Sequence, residues 1–178
     1  MTMTSELSTW LADEAKAMAI YESGAGIGTA TREQIAGMTG LQMMQAIMRG
    51  ELPAAPIGKT LDFCLVHLEE GRTIFQGTPL AKHFNPLGTI HGGWTSTLLD
   101  SALGCAVHTK MPVGRGYTTA ELNVHMVRAI TPKVERVRAI AEVLHCGRQL
   151  ATAQAKLVGP DGILYAHASC TCLVFEMK

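Results

Sequence analysis

Charge is scarce in this chain of 178 residues. Only 17% of it is Asp, Glu, Lys or Arg, and fifteen bases offset fifteen acids, leaving a formal net charge of zero. Binding nucleic acid through its phosphates needs an excess of positive charge, so that class is set aside. No apolar run reaches the ~20 residues that a membrane-spanning helix needs. The opening MTMTSELSTWLADEAKAM carries acids inside its first helical pattern and no basic stretch followed by an apolar core. It does not read as a secretory leader, and a cytoplasmic location is expected. None of the five cysteines (Cys64, Cys105, Cys146, Cys170, Cys172) makes a CxxC pair. Buried reduced thiols are expected, with no metal site. No Gly-x-Ser-x-Gly elbow occurs, so a serine triad of that type lacks its signature. The glycine-rich stretch from Ser23 to Gly28 falls short of a dinucleotide fingerprint. No strand pattern precedes it, and Thr29 stands where the last glycine belongs, so it reads as a flexible linker.

What is present suffices for one sizeable core: 47% of the residues are hydrophobic. Low charge with many Met and Ala residues fits a chain that buries surface against a second copy of itself. The pattern changes near residue 55. Before it lie helical spacings: Leu7, Leu11, Ala15 and Met18 on one helix from Glu6 to Met18, then Leu41 to Met48 behind an N-cap at Thr39, with Gly50 as the stop. Met43, Met44, Ile47 and Met48 read as core packing, with a soft lid over an apolar substrate as the alternative. After residue 55, strand patterns dominate. Leu61 to Leu68 and Thr73 to Gly77 flank a hairpin turn. One long helix runs from Gly92 to Lys110, and a meander of four β segments follows, beginning with Tyr117 to Arg128. The pattern is α+β, with a helical extension over 1–55 and a second unit over 56–178. A sheet wrapped around a single central helix, closed by a second subunit, satisfies it. In the first strand of the meander, alternation puts Ala120, Leu122, Val124 and Met126 on one face and Thr119, Glu121, Asn123 and His125 on the other.

The chemistry concentrates in Asn85-Pro-Leu-Gly-Thr-Ile-His91-Gly92-Gly93-Trp-Thr-Ser-Thr-Leu-Leu-Asp100. Two glycines open a helix that they would weaken elsewhere, and they let a ligand approach the backbone. The first amides of a helix are unpaired and stand at the positive end of its dipole, where an oxyanion is stabilised. Tight helix packing is the plain alternative for the glycines. Asp100 lies mid-helix among Leu98, Leu99, Ala102 and Leu103, where a carboxylate needs a partner or a job. His91 and Asp100 are nine residues apart, ~13.5 Å along one helix. Both cannot touch one carbonyl in the same copy, so a site using both must span a two-fold dimer.

Asn85-x-x-Gly88-x-x-His91-Gly92-Gly93, Asp100 nine residues beyond that His, and Thr119-Ala-Glu-Leu-Asn-Val-His-Met-Val-Arg128 together resemble the PaaI-like (phenylacetic-acid-degradation type) hotdog-fold acyl-CoA thioesterases. The resemblance runs from Pro56 to Phe175. It implies a hotdog fold and hydrolysis of an acyl-CoA thioester, with no cofactor beyond the CoA of the substrate. It implies Asp100 as base or nucleophile from the opposite subunit, and the Gly92 amide as oxyanion hole. Asn85 would orient water or carbonyl, His91 would hold the loop, and Thr119 would position the water. Gly93, Arg128 and the Gly147-Arg148 turn would meet substrate or CoA. Ala129 follows Arg128 where the family often has Pro. The implied partners are the acyl-CoA and a second copy, as dimer or dimer of dimers, with no nucleic acid and no membrane. A hotdog module that binds acyl-CoA without cleaving it is the competing reading.

Overall fold

The computed structural model describes residues 5–177. Four helices come first: α1 (Ser5–Ser23), α2 (Arg32–Ile35), α3 (Gly40–Met48) and α4 (Pro56–Thr60). Strands β1 (Phe63–Glu69) and β2 (Arg72–Gly77) follow, then a 3₁₀ turn (Ala81–His83) and α5 (Gly92–His108). Strands β3 (Arg115–Met126), β4 (Val137–Cys146), β5 (Leu150–Val158) and β6 (Leu164–Glu176) complete the chain. All six strands form one antiparallel sheet in the order β1-β2-β4-β5-β6-β3. Only β4, β5 and β6 meander, a correction to the four-strand meander expected from sequence. β2 takes β4 as its neighbour, and β3 pairs with β6 at the far edge.

The sheet curls around α5, which packs against β2, β3, β4, β5 and β6. This is the hotdog arrangement. Leu98, Leu99, Leu103 and Val107 are fully buried against Ala139, Ala141, Ala151, Ala153 and Leu157. Small residues on the strands let the helix lie close, and each buried Leu contributes about 1.5–3 kcal/mol. Thr73 Oγ1 donates to the Ala102 carbonyl at 2.8 Å, anchoring helix to sheet. Among the described residues, no helix is long and apolar enough to cross a membrane.

Of the N-terminal helices, α1, α3 and α4 pack against β1. α1 is longer than its periodicity suggests and turns a different face inward. Leu7, Trp10 and Ala17 are buried, whereas Ala15 and Met18 are exposed. Ion pairing sets that rotation. Arg138 meets Asp13 at 2.6 Å and lies 4.5 Å over the Trp10 ring, and Glu14 takes bonds from Gln76, Thr78 and Arg136. Thr39 caps α3 as expected, reciprocated by Gln42. The glycine-rich loop is not a flexible linker. The Gly28 amide donates to the Ala54 carbonyl and the Ala54 amide to the Gly26 carbonyl, both at 2.9 Å. A Cβ on Gly24 would lie 2.4 Å from the Gly50 oxygen, so the backbones touch there.

Candidate active site

α5 begins where the sequence places it. His91 is its N-cap, in extended geometry, and the imidazole Nδ1 accepts the Gly93 amide at 2.9 Å. That bond removes Gly93 from the pool of free helix-end donors. The Gly92 amide has no acceptor among the described residues, so it is the donor left open at the positive end of the dipole. A Cβ at Gly92 would meet only the tip of Met126, 2.9 Å away.

Asn85 organises the preceding loop. Its Oδ1 accepts the Leu87 and Thr89 amides at 2.9 and 3.2 Å, and its Nδ2 donates to Thr89 Oγ1 at 2.9 Å. The carboxamide is therefore engaged inside its own loop. The loop is held from behind by His83. That ring stacks on Trp94 at 5.4 Å and approaches the Asp62 carboxylate at 3.0 Å, and its backbone carbonyl accepts the His91 amide. Burial lowers the His83 pKa.

Asp100 sits half-buried two turns along α5 and forms no ion pair among the described residues. Thr119 Oγ1 donates to its Oδ1 at 3.0 Å. The alternation of β3 assigns Thr119 to the outer face, yet it points inward. A β-bulge between Thr119 and Glu121 is the reason. Ala120 is the extra residue, so Thr119 opposes Cys172 and Leu122 opposes Cys170, both inward, while Glu121 opposes Thr171 outside. Bulges re-aim side chains in this way. Gly104, one turn past Asp100, admits the Tyr117 ring; a Cβ there would meet its hydroxyl at 2.7 Å.

Cys105, Tyr117 and Cys170, all near the carboxylate, are hard to ionise. Burial, reinforced by the Asp100 charge, pushes the Cys105 thiol up to about 12. Burial also raises Tyr117. Cys170 and Cys172 lie 3.7 Å apart beneath Thr119, and the Cys170 thiol is raised chiefly by its neighbour. Asp100 and Thr119 line a cavity of about 1120 Å³ that reaches Met43, Met44 and Ile47 of α3. Met44 is buried in the core and Ile47 and Met48 pack against it, as the core-packing reading expects, while Met43, Met44 and Ile47 also line the cavity. Tyr117, Phe63 and Phe75 also line it and were not singled out from sequence.

Arg128 is exposed just beyond β3, its amide donating to the Tyr165 carbonyl at 3.1 Å. It shares the Met126–Gly92 end of the sheet. The Gly147-Arg148 turn lies at the opposite end. There the Gly71 amide donates to Thr109 Oγ1 behind α5, and Arg115 donates to the Arg148 carbonyl. One chain therefore holds three separate groups: Gly92 with Asn85, His91 and Arg128; Asp100 with Thr119; and Gly147 with Arg148. Gly92 and Asp100 are eight residues apart on a continuous helix, about 12 Å of rise.

The family model of the Thioesterase superfamily matches residues 87–166. A thioesterase family protein from Silicibacter pomeroyi is 28% identical with a TM-score of 0.63, covering 68% of this chain and 90% of its own. A mutant of the phenylacetic acid degradation protein PaaI from Thermus thermophilus is also 28% identical, with a TM-score of 0.60 over 66% of this chain and 97% of its own. The E. coli PaaI protein shares the fold at 18% identity and a TM-score of 0.66, over 80% of this chain and 97% of its own. No curated protein matches the sequence.

Proposed function

Because the chain is a PaaI-like hotdog protein of the thioesterase superfamily, we propose that it hydrolyses an acyl-CoA thioester to the free acid and CoA, at a site shared by two copies. The Thr119–Asp100 bond carries this reading. It orients an unpaired carboxylate at the wall of a large cavity. A carboxylate so placed removes a proton from water as the oxygen adds to the thioester carbonyl, or adds to that carbonyl itself. The oxyanion needs a donor about 3 Å from where it forms. The open Gly92 amide is such a donor, but its own Asp100 lies too far along the helix. Gly92 of one copy must therefore meet Asp100 of another.

The β3 edge supports that pairing. β3 runs for twelve residues and pairs only with β6 among the described residues. Antiparallel addition of a second β3 would satisfy its free backbone groups and extend the sheet. In this arrangement Asn85 and His91 hold the loop and helix end that present Gly92, and Thr119 fixes Asp100. Arg128, Gly93 and the Gly147-Arg148 turn are the proposed contacts for the rest of the substrate. The enzyme needs no cofactor in this scheme.

The test is free-thiol release from a panel of aromatic and aliphatic acyl-CoAs. Release by the wild type and none by Asp100→Asn is the expected result. Silence from the wild type, with acyl-CoA still binding by calorimetry, would replace hydrolysis by the binding-module reading.

A further inference from the structure

We propose that the N-terminal segment, through α3, completes a chamber on the outward side of α5 that takes an unbranched aliphatic acyl group of about ten carbons, and that α3 sets the chain-length selectivity. The inference rests on the hydrolase reading for the identity of Asp100, and deepens it.

The central helix presents two sides. One is buried in the curled sheet. The other carries Asp100, Cys105 and His108 and would be open in a bare hotdog, but here α3 roofs it. Residues 87–166, which match the superfamily, do not include α3. It is docked on α5 with little freedom. The Gly40 amide donates to the Met111 carbonyl at 2.9 Å, and a Cβ on Gly40 would lie 1.8 Å from the His108 carbonyl oxygen. Only glycine lets the start of α3 press so closely on the end of α5. His108 Nε2 also meets Met43 Sδ at 3.3 Å.

The size and lining of the chamber indicate its occupant. About 1120 Å³ exceeds what a short acyl group needs, since pockets for drug-sized ligands run about 300–1,000 Å³. Asp100 stands at one part of the wall and His108 two turns away, about 12 Å along the helix. Between them the roof offers Met43, Met44 and Ile47, and the sheet offers Phe63 and Phe75. Unbranched Met side chains adapt to a flexible chain better than to a rigid ring. Of the charged residues on the wall, Glu22, Lys59 and Lys82 are exposed, while Glu14 pairs with Arg136 and Asp62 with Lys82 and His83, so the α3 side, with Met43, Met44 and Ile47, is apolar. Burial holds His108 toward its neutral form, so it places no charge there near neutral pH.

The experiment compares butyryl- and decanoyl-CoA in wild type and Ile47→Trp, whose added bulk fills the roof side. The wild type should favour decanoyl-CoA, and the variant should lose about tenfold in kcat/KM on it while butyryl-CoA changes by less than about twofold. Met43→Trp, at another half-buried roof position, serves if Ile47→Trp fails to fold by circular dichroism. Decanoate binding, followed by tryptophan fluorescence of the wild type and by calorimetry, reads the chamber without turnover. Hydrolysis of butyryl- or aryl-CoA in preference to decanoyl-CoA, with decanoate unbound, overturns the chamber and leaves the hydrolase. Saturable decanoate binding, weakened by the roof variant, with no thioester cleaved, supports the chamber and overturns the hydrolase. Equal loss on both acyl-CoAs in a folded roof variant overturns the assignment of selectivity to α3.

Discussion

The Thr119 hydroxyl donates to Asp100 Oδ1 across 3.0 Å, and this single bond joins the middle of α5 to the edge strand β3. It fixes one carboxylate oxygen and leaves the other free to face a reactant. Asp100→Asn keeps an acceptor for Thr119 and removes the charge. It should lower kcat by about 10²–10⁴-fold with an unchanged circular dichroism spectrum. Thr119→Ala should cost roughly tenfold in kcat, ~1.4 kcal/mol, and Thr119→Ser should restore it. Wild-type kcat in Thr119→Ala would remove the positioning role.

Gly92→Pro tests the oxyanion donor. Proline is tolerated at the first position of a helix; it removes the amide hydrogen, and its ring displaces only the flexible tip of Met126. His91, at φ −63° and ψ 135°, already has the extended backbone that precedes proline comfortably. The variant should fold and lose about 10²–10³ in kcat.

Mixing the two inactive variants after a dissociation and reassembly step gives a sharper result. In a composite dimer, one site of each heterodimer pairs an intact Gly92 with an intact Asp100. Random assembly makes half the dimers heterodimers, so about a quarter of wild-type activity should return. No recovery, with exchange proven by mass spectrometry, would place both groups within one copy.

Native thiol chemistry should be slow. Burial pushes Cys64 and Cys105 up to about 12 and raises Cys146, while Cys170 and Cys172 are enclosed in the core. A thiol reagent at neutral pH should label none of the five cysteines quickly, then all five once denaturant is added. Rapid native labelling of Cys105, which lines the cavity, would overturn the expectation that its burial keeps it protonated and slow.

Two histidines give stability an acid limit. Burial lowers the pKa of both His83 and His108 below the ordinary value of 6.5. Above 6.5 they are neutral in both states, and their full contribution is present. As pH falls below 6.5 the unfolded chain takes up protons first, so stability declines until the lowered folded values are passed. His108 packs against Tyr117 and Met43, and no ion pair offsets its burial among the described residues. Urea midpoints should therefore drop between pH 7.5 and 5.5, and less steeply in His108→Asn. An unaltered slope in that variant would assign the pH dependence elsewhere.

The central helix, its glycine opening and the strand patterns were legible in the sequence because each rests on local spacing. The inward aim of Thr119 was not, since strict alternation sends it outward and one bulged residue, Ala120, reverses that. Strand order was hidden for a similar reason: β3 precedes β4 in the chain but bonds to β6, a choice made by tertiary pairing. The rotation of α1 was missed because Asp13 and Glu14 are drawn inward by Arg136 and Arg138, more than a hundred residues away. The helix over α5 was legible as a Met-rich segment, read as core packing with a lid as the alternative, but its docking place was not. Its place depends on the close approach at Gly40, which composition does not announce.

The N-terminal helices pack against β1 at one margin of the sheet, while β3 at the other margin pairs only with β6 among the described residues. A sheet open on both sides can recruit copies without end, as fibres do. If copies pair through β3 as proposed, a single open margin would stop edge-to-edge growth once two copies have met. In the proposed β3-to-β3 dimer the N-terminal helices would act as a stopper on assembly: any larger complex would have to grow through faces rather than margins, and shaving those helices away would be the change that exposes the chain to runaway strand pairing.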